Sequence, residues 1–303
     1  MNKNNFIPIQ FRKCEINKNF KKPSWIKIKL PSSFSKIIQM KNMLRKLNLN
    51  SVCEEAQCPN LSECFNSGTV TFMILGSICT RKCPFCAVSK GRPNNPDVKE
   101  PKKLKKVISK INIQHVVLTS VNRDDLKDGG SGHFLKSIQE IRKIKKQITI
   151  EILVPDFRSC LNLAVKTISQ SSPDIFNHNL ENVPRLYKKI RPGANYLNSL
   201  KLLELFKFYN PNVPTKSGIM LGLGEKLSEI VKVMKDLYNV GVSMITIGQY
   251  LQPTSSHLPV KRYITPLEFK NIKEEAISIG FNNVFSGPLV RSSYHAKDQY
   301  KFF

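Results

Sequence analysis

From Thr69 onward, short β-rich runs alternate with longer amphipathic stretches, and this alternation limits the fold more than any other feature. Residues 69–75 (TVTFMIL) are β-rich and stop at Gly76, and residues 101–111 read as a helix. Residues 115–121 (HVVLTSV) form a buried-type strand, after which Phe134, Ile138, Ile141 and Ile144 recur at helical spacing. Strands at 148–154, 174–177, 216–221 and 244–250 are separated by helical stretches at 161–169, 184–190 and 200–209 and by a stripe of Ile230, Val233, Met234, Leu237 and Tyr238. Thr265 opens a further helix, with Pro266 at its first position and Glu268 completing a capping box. Residues 283–290 read as a last strand. Six or so strand–helix units imply a parallel sheet with right-handed crossovers. The expectation is an α/β chain built as a complete or partial (β/α) barrel, with reactive groups at the C-terminal ends of its strands. Residues 1–64 form an N-terminal extension, 65–282 the barrel and 283–303 a short C-terminal extension.

Eight cysteines are present, and six of them (Cys53, Cys58, Cys64, Cys79, Cys83, Cys86) fall between residues 53 and 86. A chain of 303 residues with 41% hydrophobic composition buries enough core to fold without disulfide staples. Clustering of this kind favours metal or cluster ligation. Cys14 and Cys160 match no ligand spacing. No run of eighteen apolar residues is present, and the N-terminus has neither an apolar signal core nor a small-residue cleavage site. These features point to a cytoplasmic chain with no membrane span. The formal net charge of +26 invites a nucleic-acid reading, but the positives are scattered along helices (Lys102, Lys103, Lys105, Lys106; Lys143, Lys145, Lys146). Heavy overall use of Lys, Asn and Ile accounts for the charge, and no nucleic-acid partner is expected. An acidic protein partner would be attracted.

Cys79-Thr-Arg-Lys-Cys83-Pro-Phe-Cys86 is a C-x3-C-x2-C run placed just after the first strand. Iron–sulfur cubanes are held by thiolates, and three thiolates leave one of four irons open. Phe85 would shield one side of such a cluster. A zinc site, which usually takes four ligands in two pairs, is the weaker reading, because His115 lies far off in an apolar strand. The spacing and its position resemble the radical S-adenosylmethionine (SAM) superfamily, and the barrel is then a partial (β/α)6 TIM barrel of the radical SAM kind. The resemblance implies that Cys79, Cys83 and Cys86 are catalytic, holding a cluster whose open iron binds the amino and carboxylate groups of SAM. Reductive cleavage then yields methionine and a 5′-deoxyadenosyl radical.

Cys53, Cys58 and Cys64 form a second set, C-x4-C-x5-C, in the N-terminal extension. With CEEAQCPNLSECF, TSVNRDDLKDGG, NHNLENVPRLYKKIRPGA, GQYLQP and GPLVRSSYHA in this order, residues 23–296 resemble the lipoyl synthase family. That resemblance implies an auxiliary [4Fe–4S] cluster on Cys53, Cys58 and Cys64, completed by a serine of Arg291-Ser292-Ser293-Tyr294. Ser293 is the expected ligand, with Ser292 as the alternative. It implies two [4Fe–4S] clusters and SAM as cofactors. The implied reaction inserts sulfur at C6 and C8 of an octanoyl group amide-linked to a lysine, the auxiliary cluster being the sulfur donor. Implied partners are octanoylated lipoyl carrier domains (2-oxoacid dehydrogenase E2 subunits and the glycine cleavage H protein), a flavodoxin or ferredoxin as electron donor, and an iron–sulfur carrier protein.

Further cofactor-binding candidates sit at strand ends. Thr119, Ser120 and Val121 would present groups to the methionine part of SAM. Gly222 and Glu225, in GIMLGLGE, resemble the adenine-contacting segment, and Gly222 and Gly224 would permit close backbone approach. His178 and Asn179 end the fourth strand, where a satisfied structural histidine is an equally natural reading. Arg123, Asp124, Asp125 and Asp128 follow the second strand as further barrel-top candidates, though such a charged loop is as often merely solvated. Two alternatives make different predictions. A biotin-synthase-like sulfur inserter or a methylthiotransferase would lack C-x4-C-x5-C and RSSY. A zinc and nucleic-acid-binding protein would be colourless.

Overall fold

A computed structural model describes residues 21–28, 34–66, 69–111, 113–144 and 147–300. Cys14 and the N-terminal stretch on which the targeting expectation falls lie outside the described residues. The strands are β1 Asn50–Ser51, β2 Thr71–Ile74, β3 Ile78–Cys79, β4 Ser89–Lys90, β5 His115–Ser120, β6 Thr149–Leu153, β7 Ile175–Asn177, β8 Thr215–Leu221, β9 Met244–Gln249 and β10 Asn283–Gly287. One sheet runs β1-β2-β5-β6-β7-β8-β9-β10. All its pairings are parallel except β1 with β2. The two end strands, β1 and β10, are not paired with each other, so the barrel is partial. Because β10 belongs to the sheet, the appended C-terminal tail begins at Pro288.

Helices cover the outside and account for the sequence periodicity. Leu227–Asn239 buries Ile230, Val233, Met234 and Leu237, one face at i, i+3, i+4, i+7. Tyr238 departs from that stripe: it is exposed and meets the Phe281 ring edge-on at 5.8 Å. Pro266–Ile279 opens on the expected box, Thr265 Oγ1 accepting from Glu268 N at 3.2 Å and Thr265 N donating to Glu268 Oε2 at 2.9 Å. The helix expected at 200–209 starts earlier, at Tyr196, because the Asn195 side chain caps it by accepting from Asn198 N at 3.0 Å. β5 and β9 are buried along almost their whole length, as strands covered on both faces must be.

The N-terminal extension is joined to the sheet through β1, a two-residue strand that no periodicity reveals. It carries the helices Ser35–Lys46, Val52–Glu55 and Leu61–Asn66. Ile37, Met40 and Leu44 of the first bury into the main core.

Candidate active site

The turn after β2 fixes where the first cysteine triad stands. Leu75 is left-handed (φ 68°), as is Gly76 (φ 90°). The strain at Leu75 is held from two sides. Its amide donates to the buried Glu100 at 2.9 Å, and its carbonyl accepts from Arg123 Nη1 at 3.1 Å. β3 then places Cys79 against Lys90 of β4, and Gly91 N donates to Cys79 O at 3.0 Å, closing the base of the loop. The rest of the loop is tied to the barrel. Thr80 N donates to Asn122 O (3.2 Å), Leu258 N to Pro84 O (3.1 Å), and His257 Nε2 lies 3.2 Å from Cys86 O.

Arg81, between Cys79 and Cys83, is the strongest of these ties. Its guanidinium donates twice to Asp124 (2.8 and 2.7 Å) and once to Asp156 (2.6 Å). Burial opposes its charge, but the two carboxylates more than compensate and hold it ionised. Asp124 is held below the usual carboxylate range, chiefly by that fork. The charged loop after β5 is therefore not merely solvated. Arg123 is 2% exposed, and Asp128 accepts from Gly130 N and Gly132 N at the start of helix Ser131–Arg142.

Cys79, Cys83 and Cys86 open on a cavity of about 200 Å³ at the C-terminal ends of the strands. Phe85, Thr119, Ser120, Val121, His178, Asn179, Glu181 and Arg191 line it with them. Among the described residues, the Ser120 hydroxyl is buried without a hydrogen-bond partner, which leaves it open to a ligand. Thr119 Oγ1 instead donates to Leu153 O at 2.9 Å. His178 is fully enclosed and its pKa is pushed down to about 4, first by burial and then by Arg191. Nδ1 faces Val154 O at 2.8 Å and so must carry the proton, leaving Nε2 to accept from Ser199 Oγ at 3.0 Å. It is a neutral, satisfied wall residue.

Gly222 and Glu225 are not part of that wall. The Glu225 carboxylate folds back on its own turn, accepting from Gly222 N (2.5 Å) and Leu223 N (3.0 Å). Gly222 (φ 103°) leaves no room for a side chain, since a Cβ there would overlap the Gln249 amide. The glycine serves the turn from β8, and the acid closes it. Sequence reasoning missed Glu181 and Arg191, both within the NHNLENVPRLYKKIRPGA run. Arg191 Nη1 donates to Asn179 O at 2.9 Å, and Asn179 Nδ2 donates to Glu181 Oε1 at 3.1 Å.

The second triad lies on the extension. Cys53 is in helix Val52–Glu55, Cys64 in Leu61–Asn66 and Cys58 in the turn between. The three thiols feel one another. Burial, followed by Cys53 and Cys58, pushes Cys64 up to about 12, and burial pushes Cys53 up to about 11. In the other triad burial, then the neighbouring thiols, pushes Cys86 up to about 11. The described cysteines are free of disulfides. Among the described residues no three His, Cys, Asp or Glu side chains converge on one metal-ion position. Cys160 stands apart, lining a small crevice with Gly129 and Phe157.

The C-terminal tail runs between the cavity wall and the N-terminal extension. Ser292 Oγ donates to Asn179 Oδ1 at 2.7 Å, at the wall of the first. Tyr294 lies close enough to Cys64 and Cys58 that their charge, after burial and Glu63, raises its phenol pKa. Arg291, before the two serines, has its pKa lowered by burial, which Cys58 and Glu181 partly offset.

A profile described as the Radical SAM superfamily matches residues 73–237, and the N-terminal domain of lipoyl synthase matches residues 9–58. The lipoyl synthase of Buchnera aphidicola subsp. Cinara cedri (strain Cc) is 62% identical over 297 residues, which span 98% of this chain and 96% of that protein. The chain belongs to the lipoyl synthase family. Vibrio atlanticus (strain LGP32) lipoyl synthase is 57% identical over 96% of this chain and 90% of its own length. Solved structures show the fold alone. Streptococcus suis SuiB bound to S-adenosylmethionine aligns with a TM-score of 0.58 at 12% identity, over 89% of this chain and 64% of that one. Methylornithine synthase (PylB) aligns at 0.53 and 15% identity, over 68% and 62%.

Family membership makes the chain a radical SAM enzyme with [4Fe–4S] clusters and SAM as cofactors. The residues present fit them. Each triad gathers three thiols that form no disulfide, Cys53 and Cys64 buried and the other four half-buried, and a thiol gives up its proton when iron takes that proton's place. The cavity beside Cys79, Cys83 and Cys86 offers the unpartnered Ser120 hydroxyl, a carboxylate and a guanidinium to a zwitterionic ligand.

Proposed function

We propose that the chain inserts two sulfur atoms, at C6 and C8, into an octanoyl group amide-linked to a lysine of a carrier domain, forming the lipoyl cofactor. The observation that carries this reading is one C-terminal segment that meets the wall of the first triad's cavity through Ser292 and, through Tyr294, Glu63 in the stretch between Cys58 and Cys64. When bound, the clusters and SAM supply an alkyl radical strong enough for unactivated C–H bonds, and the sulfur that replaces the hydrogen. The protein supplies placement and exclusion of water.

In this reading Cys79, Cys83 and Cys86 hold the radical-generating cluster and leave one iron for SAM. Thr119, Ser120 and Val121 form the wall against its methionine part, with Glu181 and Arg191 offering charges of both signs. Arg81 keeps the cysteine loop in register with the strands. Cys53, Cys58 and Cys64 hold the auxiliary cluster, which is the sulfur donor, and Ser293 is its fourth ligand. Two facts support Ser293 over Ser292: the Ser292 hydroxyl is engaged by Asn179, and Tyr294, immediately after Ser293, bonds Glu63 in the stretch between Cys58 and Cys64. A serine oxygen is a harder donor than thiolate and binds iron less tightly, which suits a cluster that is dismantled.

The partners in this reading are octanoylated carrier domains such as E2 subunits and the glycine cleavage H protein. A flavodoxin or ferredoxin donates electrons, and an iron–sulfur carrier protein rebuilds the donor cluster. We place the enzyme in the cytoplasm, where a reducing environment keeps seven described cysteines as free thiols. No helix among the described residues is long and apolar enough to cross a membrane.

The test is product analysis with an octanoylated carrier domain under anaerobic, reducing conditions. Wild type is expected to yield the dithiolated product. Cys83→Ala should lose reductive SAM cleavage altogether. Cys58→Ala should keep SAM cleavage and lose sulfur insertion. Sulfur insertion by Cys58→Ala would end the donor assignment. Full activity of Ser293→Ala would move the fourth ligand to Ser292.

A further inference from the structure

The tail reaches the extension on both sides of the two serines. Before them, the buried Asn60 amide donates to Leu289 O at 2.7 Å. After them, Glu63 accepts from Tyr294 Oη on Oε2 at 3.0 Å and from His295 Nε2 on Oε1 at 3.2 Å. His295 is left-handed (φ 53°), and its ring meets Tyr294 edge-on at 4.2 Å. Asn60 and Glu63 both lie in the short stretch between Cys58 and Cys64. The barrel accommodates the same segment with glycine: a methyl at Gly248 would overlap the Val290 carbonyl, and one at Gly218 would come within 2.8 Å of Ser292 Oγ.

We propose that Asn60 and Glu63 are positioning residues that clasp the tail over the Cys53–Cys58–Cys64 triad and set how readily the auxiliary cluster opens. The inference rests on that triad holding the auxiliary cluster. A serine on an otherwise free tail would be a poor ligand, because ordering the segment costs entropy each time the site closes. Three hydrogen bonds flanking the serines prepay that ordering. The contacts to Glu63 are partly exposed, so they can break and re-form, as a cluster that is consumed and rebuilt requires.

The test compares wild type with Glu63→Gln, Glu63→Ala and Tyr294→Phe. The readout is iron loss to a chelator, followed by Mössbauer spectroscopy so that the two clusters are counted separately. Glu63→Ala should lose auxiliary-cluster iron roughly five- to tenfold faster than wild type. Glu63→Gln keeps a carbonyl for the Tyr294 phenol and should recover part of that loss. Tyr294→Phe should add nothing on top of Glu63→Ala, because the two share one bond. Iron on Cys79, Cys83 and Cys86 should leave at the wild-type rate in every variant. In the cluster-free chain, Glu63→Ala should also raise amide exchange over residues 289–299. Wild-type iron loss and wild-type exchange in both Glu63→Ala and Tyr294→Phe would overturn the clasp. A Cys58→Ala chain with the iron content of wild type would instead overturn the parent reading.

Discussion

At the scale of single residues, Arg81 shows how a position between two ligands gains a role of its own. Its fork to Asp124 and its bond to Asp156 join the cysteine loop to the ends of β5 and β6. Lysine would keep the charge but not the fork. Arg81→Lys is therefore expected to slow reductive SAM cleavage by roughly tenfold or more, through misplacement of the loop. Release of 5′-deoxyadenosine measures it, with auxiliary-cluster iron unchanged. Asp124→Asn should fall in the same direction, and a wild-type rate in both would leave the clamp without a function. The two cysteine runs stand out in the sequence because ligand chemistry dictates close spacing. The clamp was not, since Asp124 lies 43 residues from Arg81 and a run of charges reads as solvated until its partner is seen. Gly222 and Glu225 close a turn through a bond between the Gly222 amide and the Glu225 carboxylate, a partnership only three residues apart that the glycine spacing does not reveal.

Elements carry the next level of specification. The apolar alternation marked the parallel strands, and a capping box marked helix Pro266–Ile279, because both signals are local. β1 was invisible for the converse reason: two residues carry no period, and only their pairing with β2 makes them a strand. The charges inside β6 and β8 were equally opaque. Glu151 and Lys216 are fully buried and paired at 2.9 Å, with Asn177 Nδ2 donating to the same carboxylate oxygen at 2.9 Å and His115 3.3 Å from the other. Burial would raise the Glu151 pKa, but Lys216 and His115 hold it down at about 2. Glu151→Gln leaves the Lys216 charge uncompensated between β6 and β8, and should cost about 3–5 kcal/mol in urea unfolding of the cluster-free chain. The double variant Glu151→Leu/Lys216→Met should be less destabilised than Glu151→Gln alone, since it removes both charges together. A larger loss in the double variant would contradict that account.

For the whole molecule, pH and iron are the two handles. His178 is neutral in the fold, with its pKa at about 4 against an ordinary 6.5. The unfolded chain therefore takes the proton first, and stability should fall as pH drops from 6.5 toward 4, by up to about 3 kcal/mol. Glu151, lowered from 4.5 to about 2, adds a second loss between those values. Unfolding midpoints of the cluster-free chain across about pH 2–8 should show both windows, and His178→Gln should flatten the first. The decisive measurement is iron and acid-labile sulfide counted per chain after anaerobic reconstitution, in wild type and in each triad replaced by alanine. Two cubanes predict about eight irons in wild type and about four in either Cys53/Cys58/Cys64 or Cys79/Cys83/Cys86 replacement. A colourless wild type holding zinc, or a count that neither replacement lowers, would contradict the account.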